Sequence, residues 1–260
     1  MKILMVGDIF GRLGRRAFVE YTPKLRQEKN IDLVVVNGEN AAHGKGLTVA
    51  TFNELLKGGA DIITTGNHVW SNREIYSLID REPYLLRPAN FPEGTPGKGF
   101  CIYQYRAKNI GVINLQGRSF MTPLDCPFTV ANDIVKKISG KCNIILIDFH
   151  AEATAEKMAL GYFLDGKVTA IVGTHTHVQT ADERLLPKGT AYITDLGMVG
   201  ALDSVIGLDI DMVVEKFITC RSNKYLVPET GKIIYGAALI EIDDKTNKAT
   251  KIERVQIVEK

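Results

Sequence analysis

The sequence predicts an α/β domain with mixed sheets and helices on the outside. Three observations carry that prediction. Through the first two-thirds of the chain, β-branched runs alternate with segments of helical periodicity. The remaining third is rich in strands. Five of the strands end in a residue able to bind metal, and in open α/β sheets the functional crevice lies outside the carboxyl ends of strands.

The elements follow in order. Lys2–Val6 is an apolar run that stops at Gly7-Asp8. A helical pattern from Arg15 to about Lys29 puts Ala17, Phe18, Tyr21 and Leu25 on one face, with Pro23 as a kink point. Asp32–Val36 is the next strand. It ends at Asn37-Gly38-Glu39-Asn40 and leads into a loop with His43, Gly44, Lys45 and Gly46. Thr48 caps a helix that reaches Lys57, where Gly58-Gly59 stops it. Asp61–Thr65 is a third strand, ending at Gly66-Asn67-His68, and Asn72–Asp80 reads as a helix. Tyr84–Arg87 enters a turn-rich stretch from Pro88 to Gly99. Phe100–Arg106 and Ile110–Leu115 form a hairpin around Lys108-Asn109. Thr129–Ile138 is helical, and the apolar strand Asn143–Asp148 ends at Phe149-His150. Ala151–Leu160 is helical, and Val168–Val172 is a strand that leads into Gly173-Thr174-His175-Thr176-His177. His175 and His177 are expected on the irregular backbone where that strand ends. Thr190–Thr194 is a strand ending at Asp195-Leu196-Gly197, Val213–Thr219 is a short helix, and Lys232–Ile242 and Ala249–Val258 form a final antiparallel pair.

Residues 1–260 read as one domain, with Pro88–Gly99 and Ser119–Phe128, inside about 88–128, as a small cap over the site. A net charge of +2 argues against a large nucleic-acid-binding surface, but leaves room for a small phosphate-bearing ligand. Cys101, Cys126, Cys142 and Cys220 are widely spaced and read as reduced core thiols of a cytoplasmic protein. The apolar run after Lys2 is too short for a signal peptide or a membrane span, so no membrane partner is expected.

The strand ends carry Asp8, Glu39, Asn40, Asn67, His68, His150, His175 and His177. As a metal-ligand set the seven other than His68, two carboxylates, two amides and three imidazoles, are nitrogen and oxygen donors without a thiolate. That composition suits Mn²⁺, Fe²⁺/Fe³⁺ or Zn²⁺ better than Ca²⁺. One ion cannot use so many ligands, whereas two ions sharing a carboxylate can. Such a pair keeps net positive charge and attracts a phosphoryl group.

Gly7-Asp8, Asn37-Gly38-Glu39-Asn40, Gly66-Asn67-His68, Phe149-His150 and Gly173-Thr174-His175-Thr176-His177 resemble the five blocks of the calcineurin-like metallophosphoesterases, in the same order. Two positions depart from that pattern. Phe10 stands where the first block usually has a histidine, and Glu39 where the second usually has an aspartate. Those departures resemble a narrower group, the YmdB-like bacterial phosphodiesterases that act on cyclic nucleotides. The segments Asn37–Ala42, Asn114-Leu115-Gln116-Gly117-Arg118 and Asp195-Leu196-Gly197-Met198 extend the similarity nearly end to end.

The resemblance implies a four-layer αββα sandwich with two mixed central sheets. It implies two metal ions per chain, with iron or manganese ahead of Zn²⁺ or Mg²⁺. Asp8, Glu39, Asn40 and His177 would hold the first, and Glu39, Asn67, His150 and His175 the second. Asn40 would stand in for the histidine absent at Phe10, which makes the first ion the more labile. A hydroxide bridging the metals would attack phosphorus, with His68 as the proton donor. The substrates implied are 2′,3′-cyclic and also 3′,5′-cyclic nucleotides, and the family alone suggests a homo-oligomer.

Bland readings stand beside these. His43 and Lys45 read as solvated loop residues near the substrate, Arg118 has no assigned role, and Trp70 and Tyr76 read as core. Two rivals come from other classes. A dinucleotide-binding oxidoreductase is suggested by Gly7, Gly11 and Gly14 after the first strand, with Glu39 after the second. The glycine spacing is wrong, however, and Asp8 inside the turn would repel a pyrophosphate. The other rival is a non-catalytic metal-binding regulatory protein.

Overall fold

The computed structural model describes residues 1–221 and 225–259. Strands β1 (Lys2–Ile9), β2 (Leu33–Asn37), β3 (Ile62–Thr64) and β4 (Leu85–Leu86) lie parallel in the first sheet. Strands β5 (Phe100–Tyr105), β6 (Lys108–Gln116), β7 (Ile144–His150), β8 (Ala170–Thr174), β9 (Arg184–Leu185) and β10 (Ala191–Ile193) make the second, in the order β5-β6-β7-β8-β10-β9. Its four inner strands are parallel and its two edges antiparallel. Strands β11 (Met198–Ala201), β12 (Ile233–Ile242) and β13 (Ala249–Val258) return to the first sheet, whose order is β13-β12-β11-β1-β2-β3-β4. Helices α1 (Gly11–Lys29) and α2 (Val49–Lys57) cover that sheet, and α3 (Pro127–Ile138) and α4 (Thr154–Leu164) cover the other. A fifth helix, α5, spans Ile210–Thr219.

Strand alternation explains the four layers. In β1, Ile3 and Met5 join the core between the sheets, whereas Leu4 and Val6 pack with Leu13, Ala17 and Phe18 of α1. In β7, Ile144 and Leu146 face the first sheet, while Ile145, Ile147 and Phe149 pack against Leu160 and Leu164 of α4. This is the expected metallophosphoesterase-like αββα sandwich. The core between the sheets turns polar at one edge. The face that carries Val35 continues to Asn37, that of Ile62 to Thr64, that of Leu146 to Asp148 and His150, and that of Val172 to Thr174.

Asp8 reaches the same edge by a different route. Plain alternation would turn it toward α1 with Leu4 and Val6. The β1–β2 register shifts between Val6 and Asp8, and Ile9 rather than Asp8 packs on the helix side. At this point β1 also changes neighbour. Val6 still pairs with Ala237 of β12, whereas Asp8 pairs with Met198 of β11. Gly7 permits the change, because a Cβ there would lie 2.0 Å from the Gly197 carbonyl oxygen.

Several sequence expectations change. Helix α1 begins at Gly11 rather than Arg15 and continues through Pro23. No side chain caps it; its start is set by backbone bonds from Phe10 to Val199 and from Gly11 to Asn40, which only the tertiary fold supplies. The segment 72–80 contains a 3-10 turn at Arg73–Ser77 instead of an α-helix, with Ile75 as its one buried residue. Strands β4, β9 and β11 are additional to the sequence reading, being short and lacking a clear period. All four cysteines are free, but only Cys101 is buried and Cys220 is exposed. Among the described residues no helix is long and apolar enough to cross a membrane.

Phe18 is fully buried between α1 and the first sheet. Phe18→Ala should destabilise the fold by about 3–5 kcal/mol, read as a lower denaturant midpoint at unchanged slope.

Candidate metal centre

The carboxyl ends of β1, β2, β3, β7 and β8 meet at the polar edge between the sheets. Asp8, Glu39, Asn40 and His150 are buried there, and Asn67, His68, His175 and His177 border them. Every ligand position read from the sequence is therefore in one place. The sharpest group is Glu39, His150 and His175, whose ligand atoms all lie within 4.8 Å of one another. His150 Nε2 stands 3.0 Å from Glu39 Oε1, 2.8 Å from Asn67 Oδ1 and 3.0 Å from His175 Nδ1. Asp8 Oδ1 is 3.8 Å from both His150 Nδ1 and His177 Nε2.

The shape of the His-Thr-His turn comes from its backbone. Strand β8 ends at Thr174, and His175 (φ +102°) and His177 (φ +64°) both take left-handed conformations. Such conformations are uncommon for side chains other than glycine and must be held by surroundings. The His175 N–H donates to Asp8 Oδ2 at 3.1 Å, and the Thr176 N–H donates to Asp195 Oδ2 at 3.1 Å. His177 Nδ1 lies 2.8 Å from the Ile206 carbonyl oxygen, which leaves Nε2 toward Asp8.

Hydrogen bonding assigns the tautomer of His150. The Thr174 hydroxyl donates to Asp148 Oδ1 at 2.7 Å, so it must accept from His150 Nδ1–H at 3.0 Å. Asp148 is also held by Thr64 Oγ1 at 2.5 Å and Asn37 Nδ2 at 3.3 Å. Nε2 of His150 then carries a lone pair, and it faces the oxygens of Glu39 and Asn67, which are acceptors too. His175 is fixed similarly, with Nε2 3.1 Å from Glu152 and Nδ1 turned to His150. Acceptors crowded against acceptors need a cation among them.

Unpartnered atoms lead to the same fit. Six buried side-chain oxygens among the described residues lack a hydrogen bond, and three of them are Asp8 Oδ1, Glu39 Oε1 and Asn40 Oδ1. Buried polar atoms are rarely left this way. The electrostatics agree. Burial, then repulsion from Glu39 and Asp195, raises the Asp8 carboxyl well above the usual range, and burial raises Glu39. Burial together with neighbouring cationic groups pushes His150 well down and His175 to about 3. Neutral imidazoles are the form that binds metal, and a cation reverses the cost of ionising the carboxylates. The donor set thus fits metal ions.

Two contributions escaped sequence reasoning. Asp195 and Lys157 form a buried ion pair at 2.6 Å, and Asp195 also accepts from Gly197 at 2.8 Å. This carboxylate, at the end of an expected strand, supports the His-Thr-His turn. Lys157 gave no signal, because a lysine in helix α4 reads as solvated. Gly66 is the other. A Cβ there would meet His150 Cδ2 at 2.2 Å, so only glycine lets that ring through. Arg118 is exposed, and its backbone N–H is held by Glu156. Tyr76, expected in the core, is half-exposed and stacks on Trp70.

A cleft of about 810 Å³ opens over the candidate ligands. Glu39, Asn40, His68, His175 and His177 line its floor, and His43, Lys45 and residues of the 206–227 segment line its sides. The segment 88–128, expected as a cap, contributes nothing to this lining.

The family profile of YmdB-like proteins matches residues 4–255. The chain belongs to the YmdB-like family. It is 51% identical over 257 residues to the 2′,3′-cyclic-nucleotide 2′-phosphodiesterase of Bacillus subtilis (strain 168), covering 99% of this chain and 97% of that one. A solved structure described as a novel phosphatase from Mycoplasma pneumoniae superposes with a TM-score of 0.94 at 35% identity, covering 99% and 93% of the two chains. A hypothetical protein from Thermus thermophilus also superposes at 0.94, with 38% identity and both chains fully covered. The YmdB-like chain shares the fold of these two solved structures over nearly its whole length.

Lys157→Met should leave Asp195 as an unpaired buried charge and cost about 3–5 kcal/mol of stability. The folded fraction should also hold less metal, because Thr176 loses a fixed acceptor. Metal content per folded chain equal to wild type would refute the link between this ion pair and the turn.

Proposed function

We propose that the chain is a dinuclear metal-dependent phosphodiesterase that opens cyclic nucleotides, 2′,3′-cyclic esters above all. The observation that carries this reading is the convergence of unpartnered buried oxygens with imidazole nitrogens at one sheet edge. The 51% identity to a 2′,3′-cyclic-nucleotide 2′-phosphodiesterase supports the substrate class. Asp8, Glu39, Asn40 and His177 would hold one ion, and Glu39, Asn67, His150 and His175 the other. Such ions, iron or manganese by ligand type, would supply Lewis acidity toward the phosphoryl group and a water of lowered pKa.

The chain's own residues do the rest. Glu39 divides its carboxylate between two tasks. Oε1 faces His150, while Oε2 accepts the His68 backbone N–H at 3.0 Å. The shared ligand and the proton donor are thereby tied in one geometry. Ser71 Oγ lies 3.3 Å from His68 Nδ1, and Nε2 makes no hydrogen bond among the described residues. Nε2 is therefore the atom free to pass a proton. As the oxygen of a water that has released a proton to solvent bonds to phosphorus and the bond from phosphorus to the ribose 2′ oxygen breaks, that ribose oxygen takes the proton from His68, which is then reprotonated from solvent. The product is a nucleoside 3′-phosphate. The reading extends to 3′,5′-cyclic esters, which present the same phosphoryl group to the same donors.

His68→Ala should retain metal content and fold, yet turn over 2′,3′-cyclic AMP about 10²–10⁴ times more slowly. Undiminished turnover in the variant would remove His68 from the mechanism.

A further inference from the structure

The cleft is larger than the phosphoryl group needs, and its lining is of two kinds. One part is the polar ligand floor. The other is an apolar wall of Phe10, Ile206, Leu208, Tyr225 and Val227, with Lys45 beside it. The two parts are joined through His177, whose ring meets the edge of Phe10 at a centroid distance of 5.2 Å and whose Nδ1 is bonded to the Ile206 backbone. The wall is continuous. Phe10 lies so close to Gly44 and Gly207 that a Cβ on either would meet its ring at 3.0 Å or less, and Val227 closes on Gly11 and Gly44.

The wall is built rather than incidental. The Lys216 ammonium donates to the Tyr225 hydroxyl at 2.8 Å and fixes that ring from outside. Lys45 Nζ stands 4.7 Å from the ring centroid, a cation–π distance. Backbone bonding of Asp209 to Leu226 holds the 225–227 strip against the start of α5. Tyr225 is exposed and lines the cleft.

A cyclic nucleotide has one large flat apolar group, the base. Aromatic and aliphatic surface with a cation at its rim is the chemistry that receives a base face and its polar edge. We propose that the substrate's nucleobase lies against the wall of Phe10, Ile206, Leu208, Tyr225 and Val227, with Lys45 at its polar edge, so that this wall, not the metal centre, selects nucleotides over other phosphodiesters. The assignment rests on the phosphodiesterase reading above. It gives work to Phe10, which stands where related enzymes usually carry a histidine: the position is surrendered as a ligand and serves as apolar floor beside His177.

The test compares 2′,3′-cyclic AMP with methyl ribofuranoside 2′,3′-cyclic phosphate, which has the same ester and no base, on wild type, Tyr225→Ala and Tyr225→Phe loaded with Mn²⁺. Tyr225→Ala should raise KM for 2′,3′-cyclic AMP roughly tenfold with kcat unchanged, and leave the baseless ester unaffected. Tyr225→Phe, which keeps the ring but loses the Lys216 hydrogen bond, should raise KM for 2′,3′-cyclic AMP less than Tyr225→Ala does. Adenosine, lacking phosphate, should show saturation transfer in NMR with metal-depleted wild type and lose it with Tyr225→Ala. Equal effects of Tyr225→Ala on both esters would overturn the base pocket while leaving the phosphodiesterase reading intact. Failure of wild type to hydrolyse either ester would overturn the phosphodiesterase reading, and the base pocket with it.

Discussion

The carboxylate of Asp148, buried where the two sheets meet, is the interaction on which the centre depends. It receives Thr64 from the first sheet and Thr174 from the second, with Asn37 alongside. Burial raises its pKa to about 6, and these three donors oppose that rise. Through Thr174 it orients His150, and through Thr64 and Asn37 it fixes the ends of β3 and β2 that carry Asn67 and Glu39. A hydrophobic core can hold two sheets face to face, but it does not specify how they register along their strands. The polar stitch at this edge supplies that registration, at the level where ligands from both sheets must converge.

Much of the fold was legible because the inner strands β2, β3, β7 and β8 are buried on both faces and read as continuous apolar runs. Asn143–Asp148 and Asp61–Thr65 are examples, each displaced from the observed β7 and β3 by no more than two residues at either end. Elements set by tertiary contact were not legible. The start of α1 rests on backbone partners at Val199 and Asn40 rather than on a capping side chain, and β11 is a four-residue strand whose place is set by Gly7 and Gly197. The gathering of the candidate ligands was legible, because histidines and carboxylates at strand ends are chemically conspicuous. Its supports were not. Lys157 and Thr174 are ordinary in sequence and acquire meaning only through what they touch. The residues expected as a cap are absent from the cleft lining, to which Ile206, Leu208, Tyr225 and Val227 contribute instead.

The structure divides labour between two kinds of surface. The floor of candidate ligands is largely buried and tied into both sheets. The wall above it comes from loops around Gly44, Gly207 and the strip before β12, where Ile206 and Tyr225 are exposed while Phe10 is buried. Loops of this kind tolerate change more readily than the strands beneath them. Chemistry on the floor and selectivity on the wall can then vary separately. The same reasoning accounts for Phe10, which belongs to the floor by position in β1's continuation and to the wall by chemistry.

The central claim is that the acceptors gathered around Glu39 are ligands of two ions that share its carboxylate. Calorimetric titration of metal-depleted protein with Mn²⁺ tests it most directly, on wild type and Glu39→Gln. The account predicts two ions bound per wild-type chain and a marked loss of affinity for both in the variant. A single ion per chain, or loss confined to one ion in Glu39→Gln, would contradict it.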